Sequence, residues 1–137
     1  MAHEPGSEAP TVRITRFFTG PDNETHFEEL EIPMEAAGPA ARSGRIDVED
    51  VMFVDMNRPV GDPGLFHNAP QRQLVVMLSG VHEVTAGSGE SRRWGPGGVF
   101  LPDDTSGHGH LTTVIEPPVR YLFIRLPDDF DAAAYRV

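Results

Sequence analysis

The residues best suited to chemistry in this sequence are histidines, and most of them fall in one stretch. Four of the six lie between positions 61 and 110: His67, His82, His108 and His110. Imidazole side chains exchange protons near neutral pH, and they bind iron, nickel, copper and zinc. The surrounding residues alternate strand-like apolar runs with Gly, Pro, Asn and Asp corners. This pattern predicts a polar site enclosed by short β-strands.

Two of these histidines have alternative interpretations. His82 shares a strand face with small apolar residues, so it either projects into a cavity or is a hydrogen-bonded core residue. His108 stands two residues before His110 and could face the same way on an extended segment. The glycines on both sides of His108 favour a turn instead.

Three further polar residues could contact a bound substrate: Gln73, Asp104 and Tyr121. Gln73 begins an apolar strand, where a buried amide needs either a ligand or a backbone partner. Asp104 precedes a Thr-Ser-Gly sequence, so an Asx turn is its ordinary explanation. Tyr121 could direct its hydroxyl inward, although Phe123 on the same face suggests packing.

The elements that must position these residues are short strands. Residues 35–44 have no hydrophobic period and are predicted to be a surface loop, and Asp128 is predicted to cap a short helix through Tyr135. The remaining pattern predicts an all-β barrel. Its strands are expected at 11–18, 25–32, 48–56, 74–78, 81–86, 90–94, 99–101, 111–115 and 119–126.

Composition restricts the class of protein. At 137 residues the chain predicts one domain, residues 11–137, after a flexible N-terminus of residues 1–10. The formal net charge of −10 argues against a nucleic-acid partner. There is no cysteine, no apolar run of membrane-spanning length and no signal-peptide order at the start. These features predict a cytoplasmic protein with no membrane or nucleic-acid partner.

Two sets of residues are spaced as in a known pair of motifs. Gly61 is followed by His67, Ala69, Gln73 and Gly80, which resembles the first cupin motif, G-x-x-x-x-x-H-x-H-x-x-x-E-x-x-x-x-x-x-G. The second cupin motif, G-x-x-x-x-x-P-x-G-x-x-H-x-x-x-N, is approached with its second half in register and its first glycine one residue too early. The residues at these second-motif positions are Gly98, Thr105, Gly107, His110 and Val114.

The resemblance implies a cupin-type β-barrel, also described as a double-stranded β-helix or jelly roll. In that family the two histidines and the glutamate of the first motif join the histidine of the second motif to hold one divalent metal. Here His67 and His110 match, whereas Ala69 and Gln73 do not. The resemblance therefore implies a depleted metal site of His67, Gln73 and His110. Such a site would hold zinc, nickel, iron or manganese weakly, or no metal at all.

Three functions remain open at this point. The first is an isomerase, cyclase or lyase acting on an organic metabolite inside the barrel, with His67, His110 and His82 as catalytic groups. The second is a metal-dependent dioxygenase, and the third is a non-catalytic module that binds or senses a ligand. A homodimer is also expected, because the apolar run 74–78 needs cover on both faces and strand 11–18 could extend a neighbour's sheet.

Overall fold

The computed structural model describes residues 11–137, and the predicted flexible segment 1–10 lies outside the described residues. The described chain is all-β, which confirms the predicted fold class. A 3-10 turn at Ala132–Tyr135 follows the last strand. The strands are β1 (Thr11–Thr19), β2 (Thr25–Ala37), β3 (Ala40–Ser43), β4 (Asp50–Met56), β5 (Gln73–Ala86), β6 (Ser91–Trp94), β7 (Val99–Pro102) and β8 (His110–Arg125).

The sheet is rolled around one interior. The strands pair in the order β3-β2-β1-β7-β5-β8-β4, with β6 added to β5. Of these pairs, β1 with β7 is parallel and the others are antiparallel. Phe27 of β2 and Met56 of β4 come from distant strands, yet both pack against the buried cluster that contains Phe17, Val75 and Tyr121. This shared core makes the sheet a barrel.

The two longest strands correct the predicted boundaries. The predicted strands 74–78 and 81–86 are one strand, β5, and the predicted strands 111–115 and 119–126 are one strand, β8. Register shifts between Met77 and His82 bend β5 without ending it, as β-bulges do. Gly80 allows the bend because its φ is +76°.

Two other expectations need correction. Residues 35–44 are not a loop, because β2 runs to Ala37, turns at Gly38 with φ +62° and returns as β3. The predicted helix is reduced to the 3-10 turn, which is preceded by Asp131 and has no side-chain cap. Asp128 therefore caps nothing. In residues 11–137 no helix has the length and hydropathy needed to cross a bilayer.

The C-terminal segment covers part of the outer face of the sheet. Ala132, Phe130 and Tyr135 pack there on a second cluster, built around Leu30 and Leu101. A partly buried ion-pair cluster holds this segment in place. In it, Arg72 binds the Asp103 carboxylate at 2.9 Å and donates to the Phe130 carbonyl at 2.6 Å.

Candidate functional site

A cavity of about 260 Å³ lies inside the barrel. Two larger depressions lie on the outer surface, and neither is lined by a histidine. The interior cavity brings together His67, Gln73, His82, His110 and Tyr121, which the sequence predicted as site residues. The rest of its lining is Val54, Met56, Asn68, Ala69, Pro70, Val75, Phe100, Pro102, Thr112 and Phe123.

His110 is held by a buried carboxylate. Its Nδ1 lies 2.6 Å from Oδ2 of Asp104, and that oxygen also accepts a 2.7 Å hydrogen bond from the Thr25 hydroxyl. Asp104 is fully buried, and His110 is only 5 % exposed. Because Nδ1 is directed at Asp104, Nε2 is the nitrogen left for a ligand in the cavity. A carboxylate behind an imidazole fixes the ring orientation and stabilises the imidazolium form.

Asp104 does not contact the cavity directly. It is absent from the cavity lining and sits behind His110. The expectation that Asp104 contacts a substrate directly is therefore corrected. Its carboxylate instead orients the imidazole of His110. The Asx-turn interpretation also misses its main contacts, since Thr25 of β2 and His110 of β8 meet its side chain across the barrel.

His67 lies at the cavity mouth beside His110. The two residues exchange backbone hydrogen bonds of 3.0 and 2.9 Å, and their ring centroids are 4.6 Å apart. Nδ1 of His67 donates to the Leu65 carbonyl at 3.1 Å, so Nε2 carries the free lone pair. Burial lowers the pKa of His67, and the positive charges of His110 and Arg58 lower it further.

His82 and Tyr121 form a second buried pair in the lining. Nδ1 of His82 lies 2.8 Å from the Tyr121 hydroxyl, and Nε2 of His82 is buried without a partner in the described chain. Burial lowers the pKa of His82 to about 3. Burial also raises the pKa of Tyr121, so both groups are neutral at pH 7. The packing interpretation of these two residues is therefore incomplete, because both line the cavity and Nε2 of His82 has no hydrogen-bond partner among residues 11–137.

The donor set does not fit a resident metal ion. Within residues 11–137 no group of three or more His, Asp or Glu side chains is placed to hold one. His67 and His110 are neighbours, but position 69 contributes only a methyl group and Gln73 a neutral amide. No anionic side chain lines the cavity to offset the charge of a divalent cation. No step proposed below is routed through a metal.

His108 faces away from this site. Its Nδ1 lies 2.8 Å from a carboxylate oxygen of Glu24, and its ring stacks on Phe66 with a centroid distance of 4.0 Å. Gly109, with φ +83°, breaks the alternation that would have directed residues 108 and 110 to the same side. The interpretation of His108 as a turn residue describes its position, and its imidazole is not part of the cavity lining.

Sequence reasoning missed three residues that complete the site. Thr25 supports Asp104, Thr112 lines the cavity, and the Arg58 guanidinium donates to the Thr112 carbonyl near the mouth. Their places depend on pairing between distant strands, so no local pattern marks them. Strand alternation gives one usable signal, because Thr112 lies two residues after His110 on β8 and so shares its face.

Comparisons with known proteins add little to this description. No family model matches the chain, and no curated protein matches it. One solved structure that matches is described as an ethanolamine utilization protein Q from Salmonella typhimurium. It is 17 % identical, with 88 % of this chain and 100 % of that chain covered, at a TM-score of 0.34. At that TM-score the likeness carries no inference for this chain.

Proposed function

We propose that this protein binds a small organic molecule in the barrel cavity and acts on it by acid–base catalysis, as an isomerase, cyclase or lyase. The observation that carries the proposal is the geometry of His110. Its ring reaches an enclosed cavity, while its Nδ1 is bonded to a buried carboxylate at 2.6 Å. An imidazole supported in this way is suited to accept a proton and return it.

His110 acts as the base in this scheme. Its Nε2 removes a proton from a carbon next to a carbonyl group, and the electron pair of the broken C–H bond moves onto the carbonyl oxygen. Asp104 stabilises the imidazolium that forms. Return of the same proton to a different atom of the enolate completes an isomerisation. In a ring closure the enolate carbon instead bonds to a second carbonyl carbon of the same molecule, and the proton passes to the oxygen of the C=O double bond that opens. In a lyase reaction the enolate re-forms its carbonyl and a carbon–carbon double bond as the bond to a group on the β-carbon breaks, and that departing group takes the proton.

His82 is placed to stabilise the oxygen that gains charge. Because its pKa is about 3, it is neutral at pH 7 and carries one ring proton. When Tyr121 donates its hydroxyl proton to Nδ1 of His82, that ring proton is on Nε2. A neutral N–H donor inside an apolar cavity is well suited to a developing oxyanion. His67, with a lowered pKa and a free Nε2 lone pair, is a second proton acceptor at the mouth.

Non-catalytic binding is the second candidate. Most of the cavity lining outside the imidazoles is apolar, including Val54, Val75 and Phe123, and a purely binding role would need nothing more. The two functions are separated by the effect of His110 on turnover. Loss of that ring removes catalysis but leaves the apolar part of the cavity for binding.

Deuterium exchange tests the catalytic role. Small ketones, esters and lactones with a C–H next to the carbonyl would be incubated with the protein in D₂O, and deuterium uptake followed by NMR. We expect His110→Ala to slow protein-dependent exchange by about 10²–10⁴-fold. Asp104→Asn should also slow exchange, because Asp104 positions His110 and stabilises its imidazolium form.

His26→Ala is the matched control, since His26 bonds Asp22 at the surface, outside the cavity. It should exchange like the natural protein. Thermal melts of all variants would separate loss of function from loss of fold. Exchange by a folded His110→Ala variant at the natural rate would refute the role assigned to His110.

A further inference from the structure

We propose that the ligand is electrically neutral where the cavity encloses it: an uncharged compound with an apolar body and a carbonyl or amide group, with carboxylates and phosphates rejected. This inference names the substrate class of the cavity and rests on the binding role proposed above. It follows from the charges of the side chains that surround the cavity.

The lining contains no side chain with a permanent charge. In the described chain, the cavity is bounded by no Asp, Glu, Lys or Arg. Burial lowers the pKa of His82 to about 3, so its imidazole is neutral at pH 7. An anion entering the cavity would lose its hydration without gaining a fixed counter-charge, which is strongly unfavourable.

Behind His110 lies a buried carboxyl group. Oδ2 of Asp104 is 2.6 Å from Nδ1 of the imidazole, so the charge of a proton held between them would be offset by the negative charge of the carboxylate. The deep side of the cavity therefore offers an anion no uncompensated positive charge.

Arg58 is an arginine whose charge acts on two residues of the lining, and its contacts limit what it can do. The charge of Arg58 acts to lower the pKa of His67 and of Tyr121, but Arg58 does not line the cavity. Its Nη1 donates to the backbone carbonyls of Thr112 and Pro63. Arg58 is thus part of the scaffold of the mouth, and it does not form an anion clamp.

The polar side chains of the lining are suited to hydrogen bonds with a neutral ligand. Nε2 of His82 belongs to a residue only 1 % exposed and has no partner in the described chain. Gln73, which is 5 % exposed, places a neutral amide in the same lining. A carbonyl or amide group of the ligand could satisfy such atoms, and the apolar residues around them would bury its hydrocarbon part.

The test compares two probes of nearly the same shape, 2-naphthamide and 2-naphthoate, by calorimetry at pH 7.5. Shifts of the ¹⁵N-labelled histidine resonances would locate the binding. We expect the amide to bind at least about tenfold more tightly than the carboxylate. Equal or tighter binding of 2-naphthoate, or no binding of either probe in the cavity, would overturn the inference.

Charge placement on β4 provides the control. Met56 lines the cavity, whereas Met52 on the same strand is 51 % exposed. Met56→Lys should shift the preference towards 2-naphthoate, while Met52→Lys should leave it unchanged. Arg58→Gln should also leave it unchanged. Naphthoate binding that is tight in the natural protein and lost in Arg58→Gln would show that Arg58 is an anion site after all.

These binding measurements need no turnover, so they stand apart from the test of catalysis. If the protein prefers the amide but exchanges no deuterium, the inference of a neutral ligand holds and the acid–base role is refuted. If it exchanges deuterium through His110 but prefers 2-naphthoate, the acid–base role holds and the inference of a neutral ligand is refuted.

Discussion

At the scale of single residues, burial sets the protonation of the imidazoles that surround the cavity. His82 is 1 % exposed, and its pKa falls from about 6.5 to about 3. Its ring is therefore neutral in the folded protein over a pH range in which an exposed histidine gains a proton. This has a consequence for stability that can be measured apart from any activity.

The first prediction concerns acid stability. Because the pKa of His82 is lower in the folded state, the unfolded chain binds a proton between about pH 6.5 and 3 that the folded chain does not. The stability from neutral His82 is thus fully present above pH 6.5 and is lost as the pH falls towards 3. Between pH 7.5 and 5 we expect a loss of about 2 kcal/mol in the free energy of unfolding.

Urea unfolding at the two pH values measures this loss. The double variant His82→Phe with Tyr121→Phe removes the titrating ring together with the hydroxyl that would be left unpaired. Its pH dependence should be weaker than that of the natural protein by the same amount. An identical pH dependence in the two proteins would show that the pKa of His82 is the same in the folded and unfolded states.

The second prediction concerns metal affinity. Ala69 and Gln73 are buried and line the cavity with His67 and His110. Ala69→His combined with Gln73→Glu would add an imidazole and a carboxylate to His67 and His110, so zinc or nickel affinity should rise strongly above that of the natural chain. Any binding by the natural chain should disappear in His110→Ala.

Calorimetry on protein purified without a histidine tag would measure these affinities, with each single substitution as a control. The interpretation of this site as a depleted one would be wrong if the natural chain bound metal tightly and independently of His110.

At the scale of elements, the bend in β5 decides where the cavity residues come to lie. The first half of β5 supplies Gln73 and Val75, and the second half supplies His82. Gly80 stands between the two halves. A Cβ at that position would collide with the backbone carbonyl oxygens of Pro118 and Glu116 on β8.

The third prediction is that Gly80→Ala destabilises the protein by at least about 2 kcal/mol. The added methyl group meets backbone that cannot move aside, and the φ of +76° is unfavourable for alanine. Gly44→Ala is the matched control, because a methyl group added there would have nothing within 4 Å and its φ is not in the left-handed region. Equal unfolding free energies for the two variants would contradict the role given to this bend.

At the scale of the whole molecule, the free edges of the sheet indicate how two copies would associate. β1 pairs with β2 along its whole length but with β7 only at Thr15, Arg16 and Phe17, so the expected extension of a neighbour's sheet could use only residues 11–14. The apolar run 74–78 is also partly covered by the chain itself, since Leu74 packs on the outer cluster with Ile46. β4 stands at the end of the strand order, and β8 is its one strand partner among the described residues.

The fourth prediction is a symmetric homodimer that forms through β4. This strand exposes Val51 (56 %), Met52 (51 %) and Phe53 (71 %), and it carries no proline or lysine to discourage pairing. Two β4 strands related by a two-fold axis could pair edge to edge with Phe53 near the axis.

Light scattering after size-exclusion chromatography should return a dimer mass for the natural chain and a monomer mass for Phe53→Lys. Leu65→Lys changes an even more exposed residue, at 84 %, away from β4 and should leave the mass unchanged. A monomer mass for the natural chain at high concentration would exclude this assembly.

The sequence by itself determined the all-β class and the position of the main histidines. The strands follow from alternating apolar residues between turn residues, and that period is a local property of the chain. The spacing from Gly61 to Gly80 and the residues before β8 marked His67, Gln73 and His110, all of which line the cavity. The sequence also showed that Ala69 and Gln73 stand where the first motif has a histidine and a glutamate, because each is a single departure from a fixed spacing.

Only the tertiary structure decided which polar atoms meet. Asp104 is joined to Thr25 and His110 by the rolling of the sheet, and no local spacing encodes the distance between β2 and the segment before β8. His108 turns outward because Gly109 adopts a positive φ, which a glycine permits but does not require. The full pairing order also decides which strands keep a free edge. β1 lies between β2 and β7, whereas β4 ends the order with β8 as its neighbour, and neither sequence alone reveals this difference. Burial then lowers the pKa of the cavity histidines, because removing water from around an imidazole disfavours its protonated form.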